Sequence, residues 1–88
     1  MKWSVQLDAA VHRTLRKLHP QVVRTLRAAL RTIAELEDPR SKGKPLTGPL
    51  KGYWSYRIGD YRIICDIQDT DFIIVAIDLG HRSRIYDR

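Results

Sequence analysis

Apolar and polar positions along the chain change their period twice, from two to about 3.6 and back to two. Lys2-Trp3-Ser4-Val5-Gln6-Leu7 alternates, with Trp3, Val5 and Leu7 on one side, and predicts a half-buried strand. Asp8 then suits a helix N-cap, and Ala10, Val11, Leu15 and Leu18 repeat near the helical period. His19-Pro20 marks a break, because the residue before proline avoids helical angles and proline fits the first position of a new helix. From Pro20 to about Glu37 the set Val23, Leu26, Leu30, Ile33 steps by three and four, widened by Val22, Ala29 and Leu36, while Arg24, Arg27 and Arg31 occupy the opposite face. Two antiparallel helices joined by a short turn must bury their stripes together or on a sheet.

Asp38-Pro39 ends the second helix. The stretch DPRSKGKPLTGPLK, to Lys51, reads as a connection of fourteen residues without secondary structure of its own, pinned by Leu46 and Leu50. Beyond it, two apolar runs meet at Gly59-Asp60, the pair that a two-residue type II′ hairpin turn asks for. That turn sets a register: Ile58 opposite Tyr61, Arg57 opposite Arg62, Tyr56 opposite Ile63 and Trp54 opposite Cys65. Tyr61 to Gln68 is then a strand, Asp69-Thr70 a turn, and Phe72 to Leu79 a further strand, apolar almost throughout, as a strand covered on both faces would be. The expected fold is α+β: one domain over residues 1–88, with two N-terminal helices packed on a mainly antiparallel four-stranded sheet in the order β-α-α-β-β-β.

The register carries a chemical consequence. Arg57 and Arg62 fall on one face with β-carbons about 4.5–5.5 Å apart, and like charges placed directly opposite are destabilising. Either their tips splay into solvent or the pair is kept for an anion. A second cationic cluster, His81-Arg82-Ser83-Arg84, follows the last strand and leads to Tyr86, which favours the anion, a phosphate in particular. Composition points the same way: sixteen Lys and Arg against ten Asp and Glu give a net charge of +6, which biases the partners toward nucleic acid or an acidic protein segment.

Other classes drop out. Eighty-eight residues leave no room for a second domain or a deep cofactor cavity. No apolar run reaches the roughly 18 residues of a spanning helix, and the first residues lack a signal-peptide core, so no membrane role is expected. The single cysteine, Cys65, lies inside a strand pattern with no base beside it and reads as a buried small apolar residue; a reducing cytoplasm is the expected location. There is no Gly-rich nucleotide loop. His12, His19 and His81 are scattered without carboxylate companions, so neither a metal nor a cofactor is expected.

A basic sheet face can cut RNA without metal if the ribose 2′-hydroxyl is deprotonated, the phosphorane stabilised, and the leaving 5′-oxygen protonated. Arginine suits the middle task, since its planar fork binds phosphate oxygens bidentately and keeps its charge. Arg57, Arg62 and Arg82 are the candidates. His81 and Tyr86 are the local groups for proton transfer, either of them as acid or base. The structural alternatives are a post-strand histidine bonded to backbone and an aromatic packed at the sheet edge, or one stacked on an unpaired base. Lys44 and Lys51 could extend the phosphate surface or only keep the loop soluble, the role favoured for Lys42.

Over nearly all of its length the chain resembles the RelE family of toxins from bacterial type II toxin–antitoxin systems, within the RelE/ParE superfamily. The resemblance is carried by PLTGPLKGYWSYRIGDYRIICDI and by the terminal GHRSRIYDR. It implies a ribosome-dependent endoribonuclease that enters the aminoacyl-tRNA site and cuts messenger RNA by attack of the 2′-oxygen, leaving a 2′,3′-cyclic phosphate. It matches Arg57, Arg62, Arg82 and Tyr86 to the family's catalytic positions and puts His81 where some members have lysine; Lys44, Lys51, Ser55 and Arg84, near these positions, are the expected RNA contacts. Ser55 is a departure, since some relatives carry a basic residue there. The chain also stops two residues after Tyr86, where some members continue into a helix. The implied partners are the ribosome with its messenger RNA, and a cognate antitoxin whose acidic or amphipathic segment holds the toxin inactive; operon DNA would be met only through that antitoxin. Two other functions fit the same chain: a ParE-like gyrase inhibitor without nuclease chemistry, and a non-catalytic RNA-binding module.

Overall fold

The computed structural model describes residues 2–81. Strand β1 (Ser4–Leu7) leads into helices α1 (Ala9–Leu15) and α2 (Pro20–Ala34), followed by strands β2 (Lys44–Pro45), β3 (Trp54–Ile58), β4 (Tyr61–Gln68) and β5 (Ile73–His81). They form one sheet in the order β1-β5-β4-β3-β2. β1 runs parallel to β5, and every other neighbouring pair is antiparallel. A parallel pair needs a long crossover; here the helices and the β2–β4 ribbon all lie between its two strands in sequence.

The sheet thus has five strands where four were expected, and the extra one lies in the stretch expected to be bare loop. Pro39 and Pro49, each with φ fixed near the helical value, open 3-10 turns at Pro39–Lys42 and Gly48–Leu50. Asp38 accepts a hydrogen bond from the Arg40 N–H at 3.0 Å and caps the first turn. Between the turns Lys44 and Pro45 pair with Ser55 and Trp54. Proline is tolerated there because β2 is an edge strand, where a missing N–H breaks no inner ladder.

Local chemistry sets the helix ends. The Asp8 carboxylate accepts from the Ala9 N–H at 2.7 Å, and His19 Nδ1 accepts from the Gln21 N–H at 3.0 Å, just ahead of Pro20 in the first turn. α2 buries Leu26, Leu30, Ile33 and Ala34, one stripe at helical spacing. It stops at Ala34, three residues short of the expected end, as the Glu35 and Leu36 amides close tight turns onto Thr32 and Ile33. The core lies between this stripe, Val11 and Leu15 of α1, and the sheet residues Tyr56, Ile63, Cys65, Ile67, Ile74, Ala76 and Leu79. No helix among the described residues is long and apolar enough to cross a membrane.

Two turns position the outer face of the sheet. Gly59 has φ of 59° and Asp60 keeps a negative φ, the combination of a type II′ turn. The expected register follows, with Arg57 opposite Arg62 and Trp54 opposite Cys65. The next hairpin has a four-residue loop, so β5 begins at Ile73. Its last loop residue, Phe72, has φ of 54° and sets its ring edge-on to Trp3 at 5.1 Å.

β5 contains a bulge. Ile64 pairs with Asp78 but Cys65 pairs with Ala76, so Ile77 is an extra residue. Side-chain parity reverses across it: Ile74 and Ala76 face the helices before the bulge, and Leu79 faces them after it.

Candidate functional site

The outer face of the sheet, away from the helices, carries the arginine pair. Arg57 and Arg62 are direct partners across β3 and β4, so two like-charged side chains leave one face from facing positions. The two are placed differently. Arg57 is exposed, whereas Arg62 retains only 7% of its surface. The Arg62 Nη1 donates to Ser55 Oγ at 2.9 Å, and Ser55 is itself 3% exposed. Ser55 is diagonal to Arg62 on the neighbouring strand, a distance a long side chain spans. On the other side the direct partner of Arg62 is Gly80, which has no side chain to fill the space beside the guanidinium stem.

Lys44 joins this face. It is the direct partner of Ser55 on β2, so its side chain leaves the sheet on the side of Ser55, Arg57 and Arg62, and it is exposed. Farther along, Asp66 and Asp78 place carboxylates on the same face by alternation; one Asp78 oxygen accepts from the Leu79 N–H at 2.9 Å. The cationic part is therefore the β2–β3–β4 corner. Lys51 sits exposed at the end of the second 3-10 turn, outside the sheet.

His81 is not brought to the arginines. It is the direct partner of Tyr61, with ring centroids 5.7 Å apart at 70°, and Tyr61 packs against the core. Tyr61 also lines a cavity of about 240 Å³ with Gln21, Val22, Thr25 and Leu26 of α2 and Ile58 of β3. His81 thus stands on the helix side of the sheet, opposite the face expected for it. The bulge at Ile77 is the cause, because without the extra residue the alternation from Ile74 would have put His81 on the same face as Arg62. Arg82, Arg84 and Tyr86 lie outside the described residues.

Neither perturbed core group belongs to this face. Burial pushes the Cys65 thiol up to about 12 and raises the Tyr56 phenol, whose hydroxyl donates to the Pro39 carbonyl at 2.7 Å. Sequence reasoning gave Arg40 no part, and its part is structural. Its guanidinium donates to both Asp69 oxygens, at 3.1 and 2.5 Å, reaches Asp38 at 3.3 Å and lies 5.9 Å from the Trp54 ring centre. It ties the first 3-10 turn to the β4–β5 loop and holds the Asp69 carboxyl below the usual carboxylate range.

Known proteins resemble this chain in sequence and in fold. The profile of the family described as ParE toxin of type II toxin-antitoxin system, parDE, matches residues 5–86. Toxin RelG of Mycobacterium tuberculosis is 32% identical over 89 residues, spanning 100% of both chains. The toxin-antitoxin complex RelBE2 of M. tuberculosis contains a chain similar at TM-score 0.74 and 30% identity, covering 93% of this chain and 100% of that one. A chain of the archaeal RelE-RelB complex from Pyrococcus horikoshii matches at TM-score 0.71 and 30% identity, covering 96% and 99%.

Proposed function

This chain belongs to the RelE family of toxins from type II toxin–antitoxin systems, within the RelE/ParE superfamily, and we propose that it is a ribosome-dependent endoribonuclease. It would cut messenger RNA in the aminoacyl-tRNA site and so stop translation. The single observation that carries this reading is the Arg57–Arg62 pair, kept face to face on the outer side of the sheet although like charges so placed repel. A phosphate between them turns that cost into attraction.

In the proposed reaction the ribose 2′-oxygen attacks the adjacent phosphorus after losing its proton. The bond to the 5′-oxygen breaks, that oxygen takes up a proton, and a 2′,3′-cyclic phosphate remains. Arg57, exposed and able to swing, captures the phosphate. Arg62, already oriented, stabilises the phosphorane charge as it develops, the stage at which fixed donors contribute most. Lys44 steers the RNA backbone along the β2 edge. From the family resemblance, Arg82 supplies a third guanidinium and Tyr86 moves a proton. His81 receives no proton-transfer role, because the bulge at Ile77 places it on the other side of the sheet, against Tyr61. On this reading the ribosome orients the scissile linkage, and free RNA is cut poorly.

The proposed partner is a cognate antitoxin, as in the RelBE2 and RelE-RelB complexes. Its acidic, amphipathic segment would meet the Arg24, Arg27 and Arg31 face of α2 and the basic sheet face, and it would link the toxin to operon DNA; the complex would work in the cytoplasm.

One observation favours a second reading. The matching profile is that of ParE toxins, and a gyrase inhibitor on this fold would need no nuclease chemistry. The test uses translating ribosomes and messenger RNA with purified toxin, with a gyrase supercoiling assay beside it. Cut messenger RNA with gyrase unaffected supports the nuclease; intact messenger RNA with inhibited gyrase overturns it.

A further inference from the structure

We infer that Ser55 is a positioning residue that holds the Arg62 guanidinium in the orientation a phosphate must meet. The inference rests on the nuclease reading for its catalytic consequence, but not for its geometry.

An arginine side chain has many rotamers of similar energy, and each one lost on binding weakens the interaction it makes. Arg62 has lost much of that freedom before any ligand arrives. The residue, its guanidinium Nε included, is buried in the middle of the sheet, with 7% of its surface exposed, and Nη1 donates to Ser55 Oγ at 2.9 Å. Ser55 is fixed in turn. It sits between β2 and β4, with Lys44 opposite on one side and Ile64 on the other, and is 3% exposed. A hydroxyl suits the task because it accepts the N–H without adding charge. A longer basic residue here would repel Arg62 rather than hold it. Serine therefore changes how the face works: β3 gives up one cation, the adjacent guanidinium becomes rigid, and Lys44 arrives from β2 on the same side.

The division between the arginines follows. Arg57, with no such tether among the described residues, adapts to the substrate; Arg62 is the fixed reference. Misplacing a catalytic group by about an ångström costs up to about a hundredfold in rate. Ser55→Ala should thus lower the single-turnover cleavage rate on ribosomes about tenfold and leave KM nearly unchanged, with Ser55→Thr restoring the parent rate. In an Arg62→Ala background the Ser55→Ala change should cost nothing further, since there is no guanidinium left to place.

The physical half is read without cleavage. Nitrogen-15 NMR of the arginine side chains should show slowed rotation of the Arg62 guanidinium in the parent and in Ser55→Thr, and faster rotation in Ser55→Ala, with circular dichroism confirming that all three are folded. Unchanged Arg62 rotation in Ser55→Ala overturns the inference. So does slowed cleavage by Ser55→Ala that persists equally in the Arg62→Ala background. A parent that shows the NMR signature but cuts no messenger RNA would leave Ser55 as the tether of Arg62 and remove only the nuclease reading.

Discussion

Arg57 and Arg62 are direct cross-strand partners, yet one is exposed and the other almost wholly buried with its guanidinium on a serine hydroxyl. Identical side chains in one register position therefore have different tasks. Their separate substitutions should separate two kinetic parameters.

Arg57→Ala should act mainly on capture. A charge-assisted hydrogen bond contributes about 1.5–3 kcal/mol, so KM for ribosome-bound messenger RNA is expected to rise tenfold or more (about 1.4 kcal/mol per factor of ten) while kcat changes less. A titration of programmed ribosomes checks this, and a pure kcat loss would move Arg57 into the role given to Arg62.

Gly43 lies under Tyr56. A β-carbon there would come 2.8 Å from Tyr56 Cε1 and 3.3 Å from the Ser55 carbonyl oxygen. Its φ of −114° suits any residue, so the objection is purely steric. Gly43→Ala should cost about 1–3 kcal/mol as overpacking, read as a lower urea midpoint. An unchanged midpoint would show that the β2 connection gives way easily.

The Arg40–Asp69 tie should be visible in acid. Asp69 has a lowered pKa in the folded protein because Arg40 hydrogen-bonds it. Its contribution is therefore fully present above the unfolded carboxyl value, about 3.9, and is lost as pH falls through the lower folded value. Asp69→Asn should have a lower denaturation midpoint than the parent near neutral pH, with the gap closing in strong acid. A gap that widened on acidification would contradict the assignment.

Cys65 should be inert. It is fully buried and its thiol is pushed up to about 12, so almost no thiolate exists at pH 8. A thiol reagent should label the native protein only as fast as it opens, and immediate labelling would place Cys65 at the surface.

How far sequence reaches is decided residue by residue. Gly59-Asp60 sets the β3–β4 register because few turns fit two residues and a glycine at positive φ, so the arginine pair was legible. Asp8 and Pro20 mark the helix starts through local hydrogen bonding and fixed φ. β2 was not legible: two residues, one of them proline, show no alternation, and only Ser55 and Trp54 make them a strand. The side of the sheet occupied by His81 was not legible either. Ile73-Ile74-Val75-Ala76-Ile77 is apolar at every position, so nothing in it marks the bulge that reverses parity before His81. The sequence offers Ser55 as an RNA contact, whereas in the structure it accepts a hydrogen bond from Arg62, a relation between residues seven apart that follows only from the register.

The most direct measurement is the rate at which ribosome-bound messenger RNA is cut by the parent and by Arg62→Ala, with both proteins shown to be folded. Loss of one pre-oriented donor to a developing oxyanion costs about 2.7–4 kcal/mol, so the variant is expected to cut about a hundred to a thousand times more slowly at unchanged ribosome binding. Near-parental cutting by Arg62→Ala would take this guanidinium out of the reaction and leave the outer face of the sheet without its central group.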